Sequence, residues 1–134
     1  MTPFTPSLLA LVALGGAAGS LLRYAAGIWF ARWFGVFLPW GTLAVNVAGS
    51  AVIGLLGGLM LAGVHLSPES RALVITGLLG GFTTFSAFSL DVGTLALRSP
   101  ALGAGYLALT LAGGLGAFAM TFGLGHALGR ALAG

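Results

Sequence analysis

Charged side chains are so sparse along this chain that they act as punctuation between long apolar runs. Met1 to Leu22 carries no charge, nor do Trp33 to Pro68, Ala72 to Leu90 or Ser99 to Gly129. Runs of this length, apolar on every helical face, read as membrane helices, which need about 20 such residues to cross. The first run continues past Arg23 to about Phe30. It has no positive n-region and its apolar pattern simply continues, so it reads as a span rather than a signal peptide. The second run gives up GVFLPW to a turn, which leaves Gly41 to Gly63. The third extends past Asp91 to Leu97, and the fourth is long enough to cross with tilt. The pattern predicts one four-helix transmembrane domain over 1–134, with helices over about 5–30, 41–63, 69–97 and 101–130. Ser67-Pro68-Glu69 supplies an N-cap, an N1 proline and a first-turn acid for the third helix. Trp33 and Trp40 suit an interfacial aromatic belt.

Composition narrows the class. The chain is 58% hydrophobic and 5% charged, where soluble domains carry about 25% charge. That excludes a soluble enzyme, a nucleic-acid binder and a disordered segment together. With no cysteine there is no disulfide, thiolate metal site or cysteine nucleophile. The arginines give no orientation. With the N-terminus cytoplasmic, Arg71 and Arg130 fall inside, Arg32 and Arg98 outside, and Arg23 within a span. Either one orientation is set by other means, or the chain inserts both ways and pairs antiparallel. Glycines four apart (Gly15 and Gly19, Gly54 and Gly58, Gly77 and Gly81, Gly125 and Gly129) indicate close helix packing without naming a partner. Four thin helices enclose little volume, so a pathway calls for a second subunit.

A few polar groups fall inside these spans. Arg23 lies in the last third of helix one, where a charge is expensive and would attract an anion, unless it snorkels to the interface. Asn46, in GTLAVNVAGS, shares a helical face with Gly49, Ser50 and Ile53, and its amide donates two hydrogen bonds or glues helices together. In GLLGGFTTFSAFS, Gly77 to Ser89, paired glycines and four hydroxyl residues weaken a helix at mid-membrane. Such a break is tolerated only where the freed backbone is buried or lines a cavity. Its carbonyls suit a hard cation; its amides and the hydroxyls of Thr84 and Ser86 suit an anion. Phe82, Phe85 and Phe88 recur every third residue, either as packing or as rings whose positive edges line an anion path. Tyr106 and Thr110 lie one turn apart on helix four, and Gly114 follows with no donor. Asp91 is placed to pair with an arginine or to accept a proton.

In GGAAGSLLRY, GTLAVNVAGS and GGFTTFSAFS, and in the order of its four spans, the chain resembles the Fluc/CrcB family of small bacterial fluoride channels. The resemblance implies an antiparallel, dual-topology homodimer in the cell membrane, each third helix broken, with two fluoride pores. It implies that Asn46, Phe85 and Phe88 line those pores, and that Tyr106 and Thr110 form a polar track on helix four. At the track's next step Gly114 stands where the family often has serine. The resemblance also implies a structural sodium ion on the dimer dyad, held by carbonyls of Gly80 and Thr83 from each subunit. The physics agrees: fluoride is strongly hydrated, so a pore must replace its water with donors, and no catalytic dyad is present. The expected activity is passive fluoride export and not enzymatic. The alternative of a small proton-coupled exporter would need a carboxylate in helix one, and helix one has none. A purely structural subunit would leave Arg23 and the weakened helix without a role.

Overall fold

The computed structural model describes residues 5–133, and they are helical nearly throughout. Helix α1 runs Pro6–Phe34 and α2 Trp40–Leu61. The third span, Pro68–Arg98, is composite. It opens with one turn, α3 (Pro68–Ser70), widens into a π-helix over Arg71–Leu79 and returns to α4 (Gly80–Phe82). It resumes after two extended residues as α5 (Phe85–Arg98). Helix α6 covers Pro100–Ala133. All four spans are long and apolar enough to cross a bilayer, so the chain is a multi-pass membrane protein.

Short-range chemistry sets the ends. Gly35 at φ 75° closes α1 and Gly63 at φ 97° follows α2, both in the left-handed region open to glycine. Ser67 Oγ accepts from Ser70 N at 3.1 Å, with Pro68 and Glu69 in the first turn behind it. This is the cap that Ser67-Pro68-Glu69 predicts. Helix α1 extends four residues beyond the expected Phe30, carrying Arg32 inside its last turn.

The paired glycines lie where helices meet. A Cβ at Gly15 would lie 3.0 Å from Gly77 Cα, and one at Gly81 would lie 3.0 Å from Gly16 Cα. Gly15 and Gly16 of α1 therefore seat on Gly77 and Gly81 of the third span, and Gly19 packs one turn on, its Cβ position 2.7 Å from Phe82 N. A Cβ at Gly58 would lie 2.7 Å from His126 N, and one at Gly125 would lie 3.1 Å from Leu59 N, so on α2 and α6 each helix's glycines admit the backbone of the other rather than its glycines. In lipid, where no hydrophobic force draws helices together, backbone contact of this kind replaces a core. The buried apolar set is correspondingly small: Val45, Ala72, Leu79, Phe88, Leu95 and Tyr106. Helices α2 and α6 run parallel, as the pairing of residue 50 with 114 and of 58 with 126 requires.

Candidate functional site

The two extended residues between α4 and α5 are Thr83 (φ −83°, ψ 157°) and Thr84 (φ −154°, ψ 120°). The side chain of Asn46 on α2 brackets them. Its Nδ2 donates to the Thr84 carbonyl at 3.0 Å, and its Oδ1 accepts from Thr84 N at 2.8 Å. One amide thus stands in for both halves of a missing backbone ladder, which is how a non-helical residue stays satisfied inside an apolar protein. Thr84 Oγ1 caps α5 by accepting from Ala87 N at 3.2 Å and lies 3.3 Å from Ser86 Oγ. The Thr83 hydroxyl donates to Leu79 O at 2.9 Å.

These bonds redirect two helical donors. In an uninterrupted helix Thr84 N–H would bond Gly80 O and Ala87 N–H would bond Thr83 O. Here the first donates to Asn46 and the second to Thr84 Oγ1. Gly80 and Thr83 are thus two of the four residues, 80 to 83, whose carbonyls lose their helical donors at the break. Gly80 is exposed on the single chain.

Beside the bracket lies a cavity of about 440 Å³. Asn46, Gly80, Thr83, Thr84, Phe85, Phe88 and Thr110 all line it, joined by Ser50 and Gly114, and no charged residue does. Thr110 is 6% exposed and its Oγ1 has no hydrogen-bond partner among the described residues. The two phenylalanines differ sharply. Phe88 is 4% exposed and lies between Phe85 and Tyr106, its ring tilted to both, with ring centroids 5.9 and 6.0 Å away. Phe85 is 78% exposed, so on a single chain one wall of the cavity stands open.

Other candidates lie outside this cavity. Tyr106 is buried behind Phe88, its hydroxyl donating to Pro39 O at 3.0 Å, which ties α6 to the start of α2. Ser86 is exposed and reaches the cavity only through Thr84. Arg23 does not line it. Asp91 borders a second hollow with Pro39, Gly41 and Thr42, and among the described residues its Oδ2 is buried without a partner and it pairs with no arginine. Sequence reasoning missed the apolar wall of Ile75, Leu79, Leu111 and Leu115. Nothing in such residues separates a cavity wall from a lipid-facing surface.

The site can present donors to a small ion. Asn46 Nδ2 has a second hydrogen beyond the one on Thr84, Thr110 has a free hydroxyl, and the phenyl rings have positive edges. The family described as CrcB-like protein, Camphor Resistance (CrcB), matches residues 10–124. A fluoride-specific ion channel FluC of Rhizobium etli (strain CIAT 652) is 53% identical over 124 residues, 92% of this chain and 96% of the relative. The protein of that name from Rhizobium johnstonii (strain DSM 114642 / LMG 32736 / 3841) is 52% identical over the same shares. That of Erythrobacter litoralis (strain HTCC2594) is 46% identical over 84% of this chain and 86% of its own length. All four spans fall wholly or largely within the matched segment, and the chain belongs to the CrcB family.

Proposed function

We infer that the chain is a fluoride-specific ion channel. The observation that carries this is the cavity beside Asn46: the Thr110 hydroxyl, without a partner among the described residues, the second amide hydrogen of Asn46, ring edges, and no charged group among its lining residues. Such a lining offers an anion replacement for its hydration shell. It has no carboxylate to bind a proton or a cation substrate. The relatives named fluoride-specific ion channels at 46–53% identity support the same reading. Export is passive. Hydrogen fluoride enters neutral, ionises in the less acidic cytoplasm, and the trapped anion leaves down an interior-negative potential worth roughly 2.3 kcal/mol per 100 mV.

The working unit is an antiparallel homodimer. The open wall at Phe85 supports a covering subunit. A second support is the distribution of aromatics. All three tryptophans, Trp29, Trp33 and Trp40, lie near the end where α1 stops and α2 starts, in a cluster with Phe30 and Phe34. The opposite end has neither Trp nor Tyr. Membrane proteins anchor at both interfaces, and an inverted copy supplies the missing belt. Arg32 and Arg98 at one end balance Arg71 and Arg130 at the other, so neither orientation is favoured.

A sodium ion at the dyad fits the released carbonyls. Gly80 and Thr83 present oxygen ligands of the kind a hard cation takes, and two subunits together would offer four. Bound there, the ion would supply positive charge and tie the subunits; the chain's own residues line the path.

Fluoride efflux from proteoliposomes, with chloride as control, tests the function. Fast fluoride-selective efflux without a proton gradient is expected. Absence of fluoride flux, or flux that requires a proton gradient, would overturn the channel reading.

A further inference from the structure

On α6, Tyr106, Thr110 and Gly114 follow one another at one-turn intervals, and the last has no side chain. A series of donors carried by α6 alone would therefore stop at Thr110. The structure brings a hydroxyl to that level from another helix. A Cβ built on Gly114 would lie 3.3 Å from Ser50 Oγ and 4.0 Å from Ser50 Cβ, and nothing else lies within 4 Å. Ser50 stands one turn after Asn46 on α2, the helix that runs parallel to α6, and it lines the cavity together with Asn46, Thr110 and Gly114. We infer that Ser50 is a fluoride-coordinating residue of the pathway, supplying from α2 the donor that α6 lacks at Gly114. This deepens the fluoride-channel reading and rests on it.

Two further features support the assignment. Three hydroxyls away from the cavity turn back onto their own helix, Ser89 to Phe85 O, Thr94 to Leu90 O and Thr121 to Ala117 O, and Thr83 on its rim does the same to Leu79 O. Ser50 makes no such bond among the described residues, and Thr110 Oγ1, on the same cavity, has no partner. Hydroxyls held off their own backbone next to a cavity are free to meet an ion there. The spacing also explains why glycine sits at 114. With Ser50 present, a side chain on α6 would crowd its oxygen at 3.3 Å, closer than most Cβ contacts. The two positions share room for one hydroxyl between them.

That exclusivity dictates the test, a swap of the hydroxyl between helices, read as fluoride efflux from proteoliposomes, with chloride efflux and elution as a single dimeric species monitored in parallel. Ser50→Ala is expected to slow fluoride efflux about tenfold, the scale of one lost hydrogen bond to an anion. Ser50→Ala with Gly114→Ser returns a hydroxyl to the same space from the other helix, and is expected to recover most of that loss. Ser50→Ala with Gly114→Ala refills the volume without a donor and is expected to stay slow, even where the single variant is poorly folded. Equal rates for the two double variants, or a Ser50→Ala channel as fast as the parent, would show that Ser50 only packs and would overturn the inference alone. A parent chain that carries no fluoride would overturn the channel reading on which it stands.

Discussion

Asn46 commits one amide hydrogen and its oxygen to Thr84, which leaves its second hydrogen for the cavity. A carboxylate at this position would keep the acceptor for Thr84 N–H and lose both donors. It would also face the Thr84 carbonyl with negative charge and repel an anion. Asn46→Asp is therefore expected to reduce fluoride efflux by more than a hundredfold in proteoliposomes; efflux within a factor of a few of the parent would rule out its role as a donor. Asn46→Ala additionally leaves the buried Thr84 N–H unpaired, at a cost of about 1–3 kcal/mol, which denaturation in detergent would register as lower stability. The two phenylalanines separate packing from ring-edge chemistry, because Phe88 is enclosed and Phe85 is open. Isoleucine approximates a ring's apolar character without its positive edge, and methionine is flexible and polarizable. Phe85→Ile and Phe88→Ile are expected to cut efflux strongly, with the methionine variants milder. If the rings only pack, Ile and Met will behave alike, and the enclosed Phe88 will dominate any loss of stability.

At the scale of the element, the third span concentrates what is unusual in this chain. It combines a π-helix over Arg71–Leu79, extended residues at Thr83 and Thr84, and a new N-cap at Thr84. π-Helical turns are rare and recur at functional sites. If the carbonyls of Gly80 and Thr83 hold a cation, their side chains matter only through the backbone. Thr83→Ser keeps both the carbonyl and the hydroxyl that donates to Leu79 O, so retained sodium and normal efflux are expected. Gly80→Val adds a β-branched group to a one-turn helix and is expected to weaken both cation binding and the dimer. A dimer showing no monovalent cation by anomalous scattering would sink the assignment. The four spans were legible from charge spacing because lipid tolerates few alternatives, and the Ser67 cap was legible because its chemistry is local. The weakness of GGFTTFS could be read from its residue types. Its detailed geometry could not, because the group that satisfies Thr84 lies 38 residues away on α2. Likewise Gly15 and Gly19 announced close packing, but only the folded chain shows that Gly15 meets Gly77 and Gly19 meets the backbone of Leu78 and Phe82. The role of Ser50 is invisible from either helix alone, since it depends on the absence of a side chain at Gly114.

On the proposed antiparallel reading the whole molecule is balanced between two orientations, and the arginine tally makes that balance cheap to upset. One end carries Arg32 and Arg98 and every tryptophan; the other carries Arg71 and Arg130. Orientation follows the excess of Lys and Arg near span ends, and added charges at a C-terminus can reverse it. Three lysines appended after Gly134 would turn an even tally into a clear excess at the Arg71 and Arg130 end, holding that end in the cytoplasm. A chain that inserts one way only would still fold, but it would lack inverted partners. The open wall at Phe85 and the end of the bundle without aromatics would then have nothing to complete them. Expressed alone, the lysine-tailed chain is expected to lose most fluoride efflux from cells. Co-expression with a second copy biased the opposite way, by lysines placed in the turn after Phe34, is expected to restore it. Reporter fusions to the parent C-terminus should give signal on both sides of the membrane. A single orientation for the parent, or full activity from the lysine-tailed chain with every copy inserted one way, would dispose of antiparallel pairing.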